Sequence, residues 1–325
     1  MSELNLNKKG LYLGTRKENI YEYMERNKGL CIVYGATVWS ELILCDLGGE
    51  IKIDYFCDKQ AEMIHSLSIK NIPVINCNQL KDLINESGKR ATIIICVGTK
   101  KATVNSIYRD LIKLNIEADV FDYFENLYIF SDHTFEYRGQ NILLYEHPYN
   151  CGYFDGRMTE RSVELALAKE WLENCNGNVA EVGAVTPYYF YSDKISDVID
   201  PTDQHIRVNC KNSIFDVSLR GKNVLSISTV EHIGLNEYGL TENMNVIDAI
   251  EKILNEAESY LITAPLGYNH VLDNWVRDNR DNPIIRIMKR GINNHWIEIS
   301  TYDFEEINYG PMWAYGLLII EKTIC

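Results

Sequence analysis

The sequence predicts an α/β protein of two tandem domains, each a mostly parallel sheet with flanking helices. The first observation is that short apolar runs alternate with helical patterns twice, over residues 17–125 and again from residue 141 onward. Strands that alternate with helices imply right-handed crossovers and therefore parallel sheets. The second observation is the length of 325 residues, which is long for one such domain and comfortable for two. We therefore expect domains at 1–125 and 146–325, joined by a connecting segment at 126–145.

The composition argues against several classes of protein. Lys and Arg number 32 against 46 Asp and Glu, and the net charge of −14 argues against binding to nucleic acid or to an anionic membrane surface. No apolar run approaches the roughly 20 residues of a membrane span, and residues 1–5 lack the basic start of a secretory signal. The nine cysteines include no C-x-x-C pair. We therefore expect reduced thiols, no metal site, no membrane insertion and a cytoplasmic location.

The first half contains five predicted strands, separated for the most part by helices. The strands are short runs rich in β-branched residues. They lie at residues 29–34, 51–57, 73–75, 91–97 and 118–121, and helices are predicted at 38–47, 78–86 and 102–114. In a parallel sheet of this kind a ligand binds at the carboxyl ends of the strands. The candidate binding residues of this half are therefore Gly35, Thr37, Asp58 and Gly98.

The loop after the first strand departs from the dinucleotide-binding pattern G-x-G-x-x-G. It keeps only the first glycine, Gly35, with Thr37 and Ser40 at the other two positions. This departure argues against an NAD-dependent oxidoreductase or epimerase. The following helix can still hold a phosphate at its amino terminus, and the Asp58 carboxylate can accept hydrogen bonds from hydroxyls. The alternative is a domain that binds no ligand and only docks onto the second half or a partner.

Four stretches of the first half carry a family resemblance. They are IVYGATVWSELI, IDYFCDKQ, NIPVI and ATIIICVGT. Together they resemble the small Rossmann-like domain that precedes the acyltransferase in bacterial sialic-acid and bacillosamine acetyltransferases. The resemblance implies a Rossmann-like domain that binds a nucleotide-sugar or a similar phosphorylated ligand.

The second half repeats the alternation of strands and helices. A helix is predicted at residues 160–174, where apolar residues recur at helical spacing after Thr159, a candidate helix cap. Strands are predicted at residues 179–183, 196–200, 223–228, 259–264, 283–289 and 314–321, with a further helix at 245–256. This order predicts a second Rossmann-like sheet.

Two strands of the second half end in acidic residues at a spacing that favours an adenosyl cofactor. One ends in Glu181-Val182-Gly183, and the next ends in Asp200, 19 residues after Glu181. Glycine lets the backbone approach a cofactor closely, and a carboxylate can accept hydrogen bonds from both ribose hydroxyls. Any Rossmann-like sheet can show this spacing, so it is only moderately specific.

Seven further stretches strengthen that interpretation through a second resemblance. They are TERSVE, VAEVG, VID, FDV, SISTVEHIG, APLGYN and YGLLIIE. Residues 145–322 resemble class I S-adenosylmethionine-dependent methyltransferases, of a bacterial branch associated with surface-polysaccharide genes. The resemblance implies a seven-stranded sheet that closes with an antiparallel last strand.

The resemblance also implies which residues bind the cofactor. Glu181 and Gly183 would line the methionine part of S-adenosylmethionine, Asp200 would bind the ribose, and Asp216 would contact the adenine. The chain departs from the family at Val185, where a second glycine is usual. A valine there could crowd the cofactor.

The same resemblance implies which residues carry the chemistry. Ser228 and Thr229 would lie beneath the transferred methyl group, with Glu231 and His232 at the rim of the active site. For a hydroxyl acceptor His232 is the natural general base, because the pKa of an unperturbed imidazole near 6.5 suits proton removal at neutral pH. A purely structural role for Glu231 and His232 is the alternative.

These observations together predict an enzyme that uses S-adenosylmethionine. It would methylate an oxygen or nitrogen of a sugar or nucleotide-sugar in surface-glycan biosynthesis. The alternative is a non-catalytic nucleotide- or sugar-binding or scaffolding protein with a degenerate methyltransferase fold, which the altered glycine loops favour. The identity of the acceptor, and self-association into a homodimer, stay open.

Overall fold

The computed structural model is a mixed α/β protein. It describes residues 11–13, 20–37, 39–46, 51–63, 68–97, 101–123, 133–145, 159–237, 245–291, 294–301, 307–310 and 314–322. The chain divides into two compact units. The first comprises Met1–Leu127 with two short segments, Tyr188–Tyr191 and Gln204–Ile206, and the second comprises Tyr128–Pro187, Ser192–Asp203 and Arg207–Cys325.

The first unit is built around one sheet with a largely parallel arrangement. Its strands are β1 (Leu11–Leu13), β2 (Leu30–Tyr34), β3 (Tyr55–Cys57), β4 (Ser68–Ile69), β5 (Ile72–Ile75), β6 (Ala91–Ile95) and β7 (Ala118–Asp122). Its helices are α1 (Ile20–Arg26), α2 (Trp39–Asp46), α3 (Cys77–Ser87) and α4 (Lys101–Leu114). The strand order is β1-β7-β6-β2-β3-β5-β4, and only the β4–β5 pair among the described strands is antiparallel.

The second unit contains a hairpin and a mixed sheet. The hairpin strands are β8 (Thr134–Tyr137) and β9 (Gln140–Leu143), and the sheet strands are β10 (Val179–Val182), β11 (Ile195–Ile199), β12 (Asn223–Ile227), β13 (Ser259–Pro265), β14 (Ile285–Arg290), β15 (Trp296–Ile299) and β16 (Gly316–Lys322). The helices are α5 (Arg161–Asn174), α6 (Val246–Glu256) and α7 (His270–Asp278). The strand order is β11-β10-β12-β13-β16-β14-β15. β10 to β13 run parallel to one another, β16 runs antiparallel between β13 and β14, and β15 pairs antiparallel with β14.

Helix α6 shows how the sequence forms the core of the second unit. The Asn245 side chain accepts hydrogen bonds from the N–H groups of Ile247 and Asp248, at 2.8 and 3.3 Å, and the Asp248 carboxylate accepts one from the Asn245 N–H at 2.8 Å. This reciprocal cap begins the helix. Val246, Ala249, Ile250 and Ile253 follow at helical spacing and are all buried in the core cluster of this unit.

Most predicted elements are confirmed, with shifted ends. The strand predicted from residue 51 begins only at Tyr55. The Asp54 carboxylate accepts a hydrogen bond from the Cys31 N–H at 3.0 Å, and the Asp54 N–H donates to the Cys31 carbonyl at 2.9 Å. A side chain therefore replaces part of the strand ladder here.

Several elements were not predicted from the sequence. Residues 133–145, within the predicted connecting segment, contain the β8–β9 hairpin of the second unit. Helix α7 also escaped prediction, although Asn269 caps it through the N–H groups of Val271 and Leu272. In the described parts of the chain, no helix combines the length and apolar composition that crossing a bilayer requires.

Gly35 lies where the backbones of β2 and β6 come together at their carboxyl ends. Its φ is +124°, and a Cβ built there would clash with the Cys96 carbonyl oxygen and the Val97 side chain. Gly35, a predicted ligand-binding residue, therefore has a structural reason to be glycine, because only glycine fits this close approach of the two backbones.

Replacement of Gly35 by Ala tests this interpretation. We expect Gly35→Ala to destabilise the protein by more than about 2 kcal/mol, because strain at positive φ adds to a backbone clash. Gly88→Ala is the matched control: its φ is +60°, but an added Cβ meets no atom within 4 Å, so its cost is about 1 kcal/mol. Urea unfolding measures both, and equal losses would contradict the proposed clash.

Candidate functional site

The predicted binding residues of the first unit already hold one another in place. The Asp58 carboxylate accepts hydrogen bonds from the Ala36 N–H at 3.0 Å and the Gln60 N–H at 2.8 Å. The exposed Thr37 hydroxyl accepts a 3.3 Å hydrogen bond from the Trp39 N–H. Gly98 lies outside the described residues. Asp58 therefore connects the end of β3 to the loop after β2.

The second unit repeats this arrangement around Asp200. Asp200 Oδ2 accepts a hydrogen bond from the Ala184 N–H at 3.0 Å. Its Oδ1 accepts three more, from the Thr202 N–H at 2.9 Å, the Thr202 hydroxyl at 3.1 Å and the Asp203 N–H at 2.8 Å. In both units an aspartate that follows a strand, Asp58 after β3 or Asp200 after β11, accepts a hydrogen bond from the N–H of an alanine. In each case that alanine follows a glycine, as Gly35-Ala36 or Gly183-Ala184. We call this contact the acid–loop contact.

Glu181 lies at the carboxyl end of β10 and is fully buried. Its carboxylate accepts hydrogen bonds from the Val185 N–H at 3.0 Å, the Thr186 N–H at 2.7 Å and the Thr186 hydroxyl. Gly183 has a φ of +87°, and a Cβ there would clash with the Thr229 side chain. The Thr229 hydroxyl in turn donates to the Ile227 carbonyl at 2.9 Å. Internal contacts thus account for three residues predicted to bind the cofactor.

Asp216 is placed differently from the other predicted cofactor residues. It ends a short 3-10 turn, Ile214–Asp216, which Ser213 caps. The residue is exposed to solvent. An exposed carboxylate at this position can meet a ligand from solvent, but among the described residues no neighbouring group is seen to orient it.

Ser228 belongs to a buried polar cluster centred on Glu164. Glu164 projects from α5 and is fully buried. Its Oε1 accepts hydrogen bonds from the Ser228 hydroxyl at 2.6 Å and the Thr263 hydroxyl at 2.8 Å. Its Oε2 lies 3.0 Å from Nη1 of Arg161. Ser228 has a φ of +36°, so this contact helps to hold the backbone in a conformation that non-glycine residues rarely adopt.

Glu231 is the most deeply buried of the predicted catalytic groups. Burial raises the pKa of its carboxyl well above its usual range, and the nearby carboxylates of Glu164 and Glu160 raise it further, against the opposing charge of Arg161. Among the described residues its Oε2 has no hydrogen-bond partner. Burial at the carboxyl end of β12 thus favours the protonated form of this carboxyl.

His232 lies beside Glu231 and is held from its other side. Its Nδ1 is 2.5 Å from Glu237 Oε2, and its Nε2 is 3.6 Å from Glu231 Oε1. Tyr268 donates its hydroxyl proton to Glu237, at 2.9 and 3.0 Å from the two oxygens. Burial acts to raise the pKa of Glu237, but the hydrogen bonds from His232 and Tyr268 outweigh it and lower that pKa. An ionised Glu237 therefore orients the imidazole.

The aromatic rings of this region form a continuous row. The centroids of the His232 and Tyr268 rings are 4.9 Å apart, and those of Tyr268 and Tyr309 are 5.0 Å apart, both pairs edge-on. Burial raises the pKa of Tyr309 to about 12, with the charges of Glu160, Glu231 and Glu164 adding to the effect. Tyr309 therefore stays protonated at neutral pH and can donate a hydrogen bond.

The structure thus separates the predicted residues into two groups. Glu181, Gly183, Asp200 and Thr229 hold loops in place, whereas Glu231 and His232 place a carboxyl beside an imidazole. Sequence reasoning did not assign roles to Glu164, Glu237 and Tyr268, which lie around this pair. Glu164 carried a signal, since it is a charged residue between two apolar ones, Val163 and Leu165, on a helix that is buried along most of its length.

Comparison with known proteins gives no match to a protein-family model, to a curated protein or to a solved structure.

Replacement of Glu231 by Gln tests whether the buried carboxyl is neutral. Because its pKa is raised in the folded protein above the usual 4.5, its contribution to stability is fully present below about pH 4.5. That contribution falls by at most about 1.4 kcal/mol per pH unit as the pH rises toward the folded pKa. Glutamine has nearly the shape of the neutral acid and does not titrate. We therefore expect Glu231→Gln to be more stable than the wild type at neutral pH.

Urea unfolding of both proteins between pH 4.5 and pH 8 measures this difference. The difference in unfolding free energy between them is expected to grow with pH. Parallel curves across that range would show that Glu231 has an ordinary pKa and is ionised in the folded protein.

Proposed function

We propose that the second unit is an S-adenosylmethionine-dependent methyltransferase that acts on an oxygen or nitrogen of a sugar or nucleotide-sugar in surface-glycan biosynthesis. The observation that carries the proposal is the direction of β16, which runs antiparallel between β13 and β14, whereas β10 to β13 run parallel to one another. An antiparallel last strand is what the resemblance implies. The two acidic strand ends of β10 and β11 are neighbours in this sheet, which also supports the proposal.

The residues around Asp200 fit part of an adenosyl ligand. Among the described residues, three hydrogen-bond donors reach Asp200 Oδ1, whereas Oδ2 accepts one hydrogen bond, from Ala184. A carboxylate oxygen has two lone pairs, so Oδ2 can take one ribose hydroxyl. Two hydrogen bonds from the ribose diol, one to each oxygen, would require a donor to leave Oδ1. Asp200 would hold the ribose, and Glu181 would act through the loop that it stabilises.

His232 would act as the general base. The bound cofactor supplies an electrophilic methyl group, and the protein supplies a place for the acceptor's proton. His232 Nδ1 faces Glu237, so the neutral imidazole carries its proton on Nδ1 and leaves Nε2 to accept one. The carboxylate of Glu237 then stabilises the imidazolium ion. Burial raises the pKa of Glu231, whose Oε1 lies 3.6 Å from Nε2, and so disfavours a negative charge that would hold a proton there before reaction.

The first unit would bind the nucleotide part of a nucleotide-sugar. The carboxyl end of its sheet presents Asp58 and the exposed Thr37. Asp58 Oδ1 and Oδ2 each accept one backbone hydrogen bond, so each oxygen keeps a lone pair for a hydroxyl.

A second candidate function is non-catalytic nucleotide or sugar binding, or scaffolding, on a degenerate methyltransferase fold. One observation favours it: the oxygens of Glu181 and Asp200 are largely occupied by hydrogen bonds from the protein's own loops. On this alternative the acid–loop contacts are purely structural in both units.

Calorimetric titration with S-adenosylhomocysteine distinguishes the two candidates. We expect the wild type to bind, and Asp200→Asn to bind at least about tenfold more weakly because it loses a charged acceptor. Asp58→Asn is the matched control, since it removes the same acid–loop contact from the other unit. It should lose a similar stability, about 1–2 kcal/mol, without losing affinity. No binding by the folded wild type would favour the non-catalytic candidate.

Replacement of His232 by Gln tests the general base separately from cofactor binding. We expect His232→Gln to lower the rate of methyl transfer about 10²–10⁴-fold and to leave the affinity for S-adenosylhomocysteine unchanged. His270→Gln is the control, because the side chain of His270 is 91% exposed. Transfer of a labelled methyl group to a panel of nucleotide-sugars measures the rate. An unchanged rate in His232→Gln would exclude this residue as the base.

A further inference from the structure

Three residues with reactive side chains meet at the carboxyl edge of the first sheet. Tyr34 and Cys57 are register partners at the ends of β2 and β3, and Cys57 is in register with Ile75 at the end of β5. Cys77 follows two residues after Ile75 and begins α3. Register partners on parallel strands project from the same face. The pairing of β2, β3 and β5 therefore brings Tyr34, Cys57 and Cys77 together, although they are far apart in the sequence.

The contacts converge on the sulfur of Cys77. Its Sγ lies 3.1 Å from the Tyr34 hydroxyl, and the neighbouring Cys57 thiol favours the thiolate of Cys77. Asp110, whose carboxylate is 3.0 Å from Lys59 Nζ, opposes that charge and outweighs the positive charge of Lys59. Two polar groups, the Tyr34 hydroxyl and the Cys57 thiol, thus lie beside one sulfur atom.

This surrounding favours the thiolate form of Cys77. The neighbouring Cys57 thiol is the largest cause, and together with the Tyr34 hydroxyl it lowers the pKa of Cys77 to about 6, against the opposing effects of burial and of Asp110. Cys77 also occupies the first position of an 11-residue helix, where the helix dipole favours negative charge. The pKa values of Cys57 and Tyr34, in contrast, are both raised.

The exposure of the two sulfurs gives them different roles. Cys77 is partly exposed, whereas Cys57 is fully buried. A reagent from solvent therefore reaches Cys77 first, and Cys57 lies buried next to it. Cys31 and Cys96 are buried like Cys57, and burial raises the pKa of each to about 12, so they provide inert comparisons.

We propose that Cys77 and Cys57 are a peroxide-reactive dithiol, with Cys77 as the attacking thiolate and Cys57 as the resolving thiol. The Cys77 sulfur attacks one oxygen of a hydroperoxide, the O–O bond breaks, and Cys77 becomes a sulfenic acid while an alcohol or water leaves. The Cys57 sulfur then attacks the Cys77 sulfur, the S–O bond breaks and water leaves. Each cysteine loses one electron and the peroxide gains two. Tyr34 is a positioning residue that stabilises the attacking thiolate.

The product would join β3 to the amino terminus of α3 by a disulfide. This modification site is independent of the methyl-transfer proposal, because it involves only first-unit residues that the proposal does not use. Thiols and peroxides are also the only reactants, so no cofactor is needed.

Mass spectrometry after treatment of the reduced, full-length protein with hydrogen peroxide tests the proposal. We expect the wild type to lose two hydrogen atoms and to yield a peptide in which Cys57 is linked to Cys77. Cys57→Ser keeps a donor to Cys77 but has no resolving thiol. It should therefore form no link and should instead accumulate a sulfenic acid on Cys77 that dimedone traps.

Two comparisons inside the same experiment keep it decisive. Cys210 is partly exposed like Cys77, but no hydrogen bond to its sulfur occurs among the described residues, so Cys77 should react with peroxide at least tenfold faster. Tyr34→Phe keeps the ring and removes one donor, and should slow Cys77 several-fold. Equal oxidation of Cys77 and Cys210, or dimedone labelling of wild-type Cys77 without any Cys57 link, would overturn the proposal.

Discussion

The acid–loop contact is the constraint on which the rest of the structure depends. In each unit a carboxylate at the end of one strand accepts a hydrogen bond at 3.0 Å from the first N–H after the glycine that ends the neighbouring strand. The same glycines donate their own N–H groups to the adjoining strand, Gly35 to Cys57 and Gly183 to Ile199, at 2.8 and 2.9 Å. These hydrogen bonds thus fix the path of the loops at the carboxyl edges of both sheets, and every candidate site lies at such an edge.

The repetition also explains why the strand-end acids are ambiguous from sequence. An acid after a parallel strand can hold a ribose, or it can satisfy backbone N–H groups that would otherwise lack a partner. In this structure Asp58 and Asp200 accept hydrogen bonds from backbone N–H groups, and each carboxylate keeps some capacity to accept a further one from a ribose hydroxyl. A carboxylate that already organises a loop is also pre-positioned for a ligand that adds one more hydrogen bond, so the two roles are compatible.

The site around Glu231 and His232 in the second unit is built from a different kind of interaction. Glu164 accepts hydrogen bonds from two hydroxyls, and its Oε2 lies 3.0 Å from Arg161. Glu231 is buried near the same groups, and burial raises the pKa of its carboxyl well above the usual range. His232 lies between this carboxyl and Glu237, whose pKa is lowered, despite burial, by hydrogen bonds from His232 and Tyr268.

The sequence by itself determined the alternation of strands and helices, and with it the two α/β units and the strand ends where Asp58, Glu181, Asp200 and His232 lie. Those features follow from local hydrophobic periodicity, which short segments encode. Only the tertiary structure decided which atoms meet. Strand pairing brings Tyr268 to His232 and Glu237, and Cys77 to Cys57 and Tyr34. Partners contributed by different elements leave no local pattern, because strand order and register depend on the packing of the whole sheet.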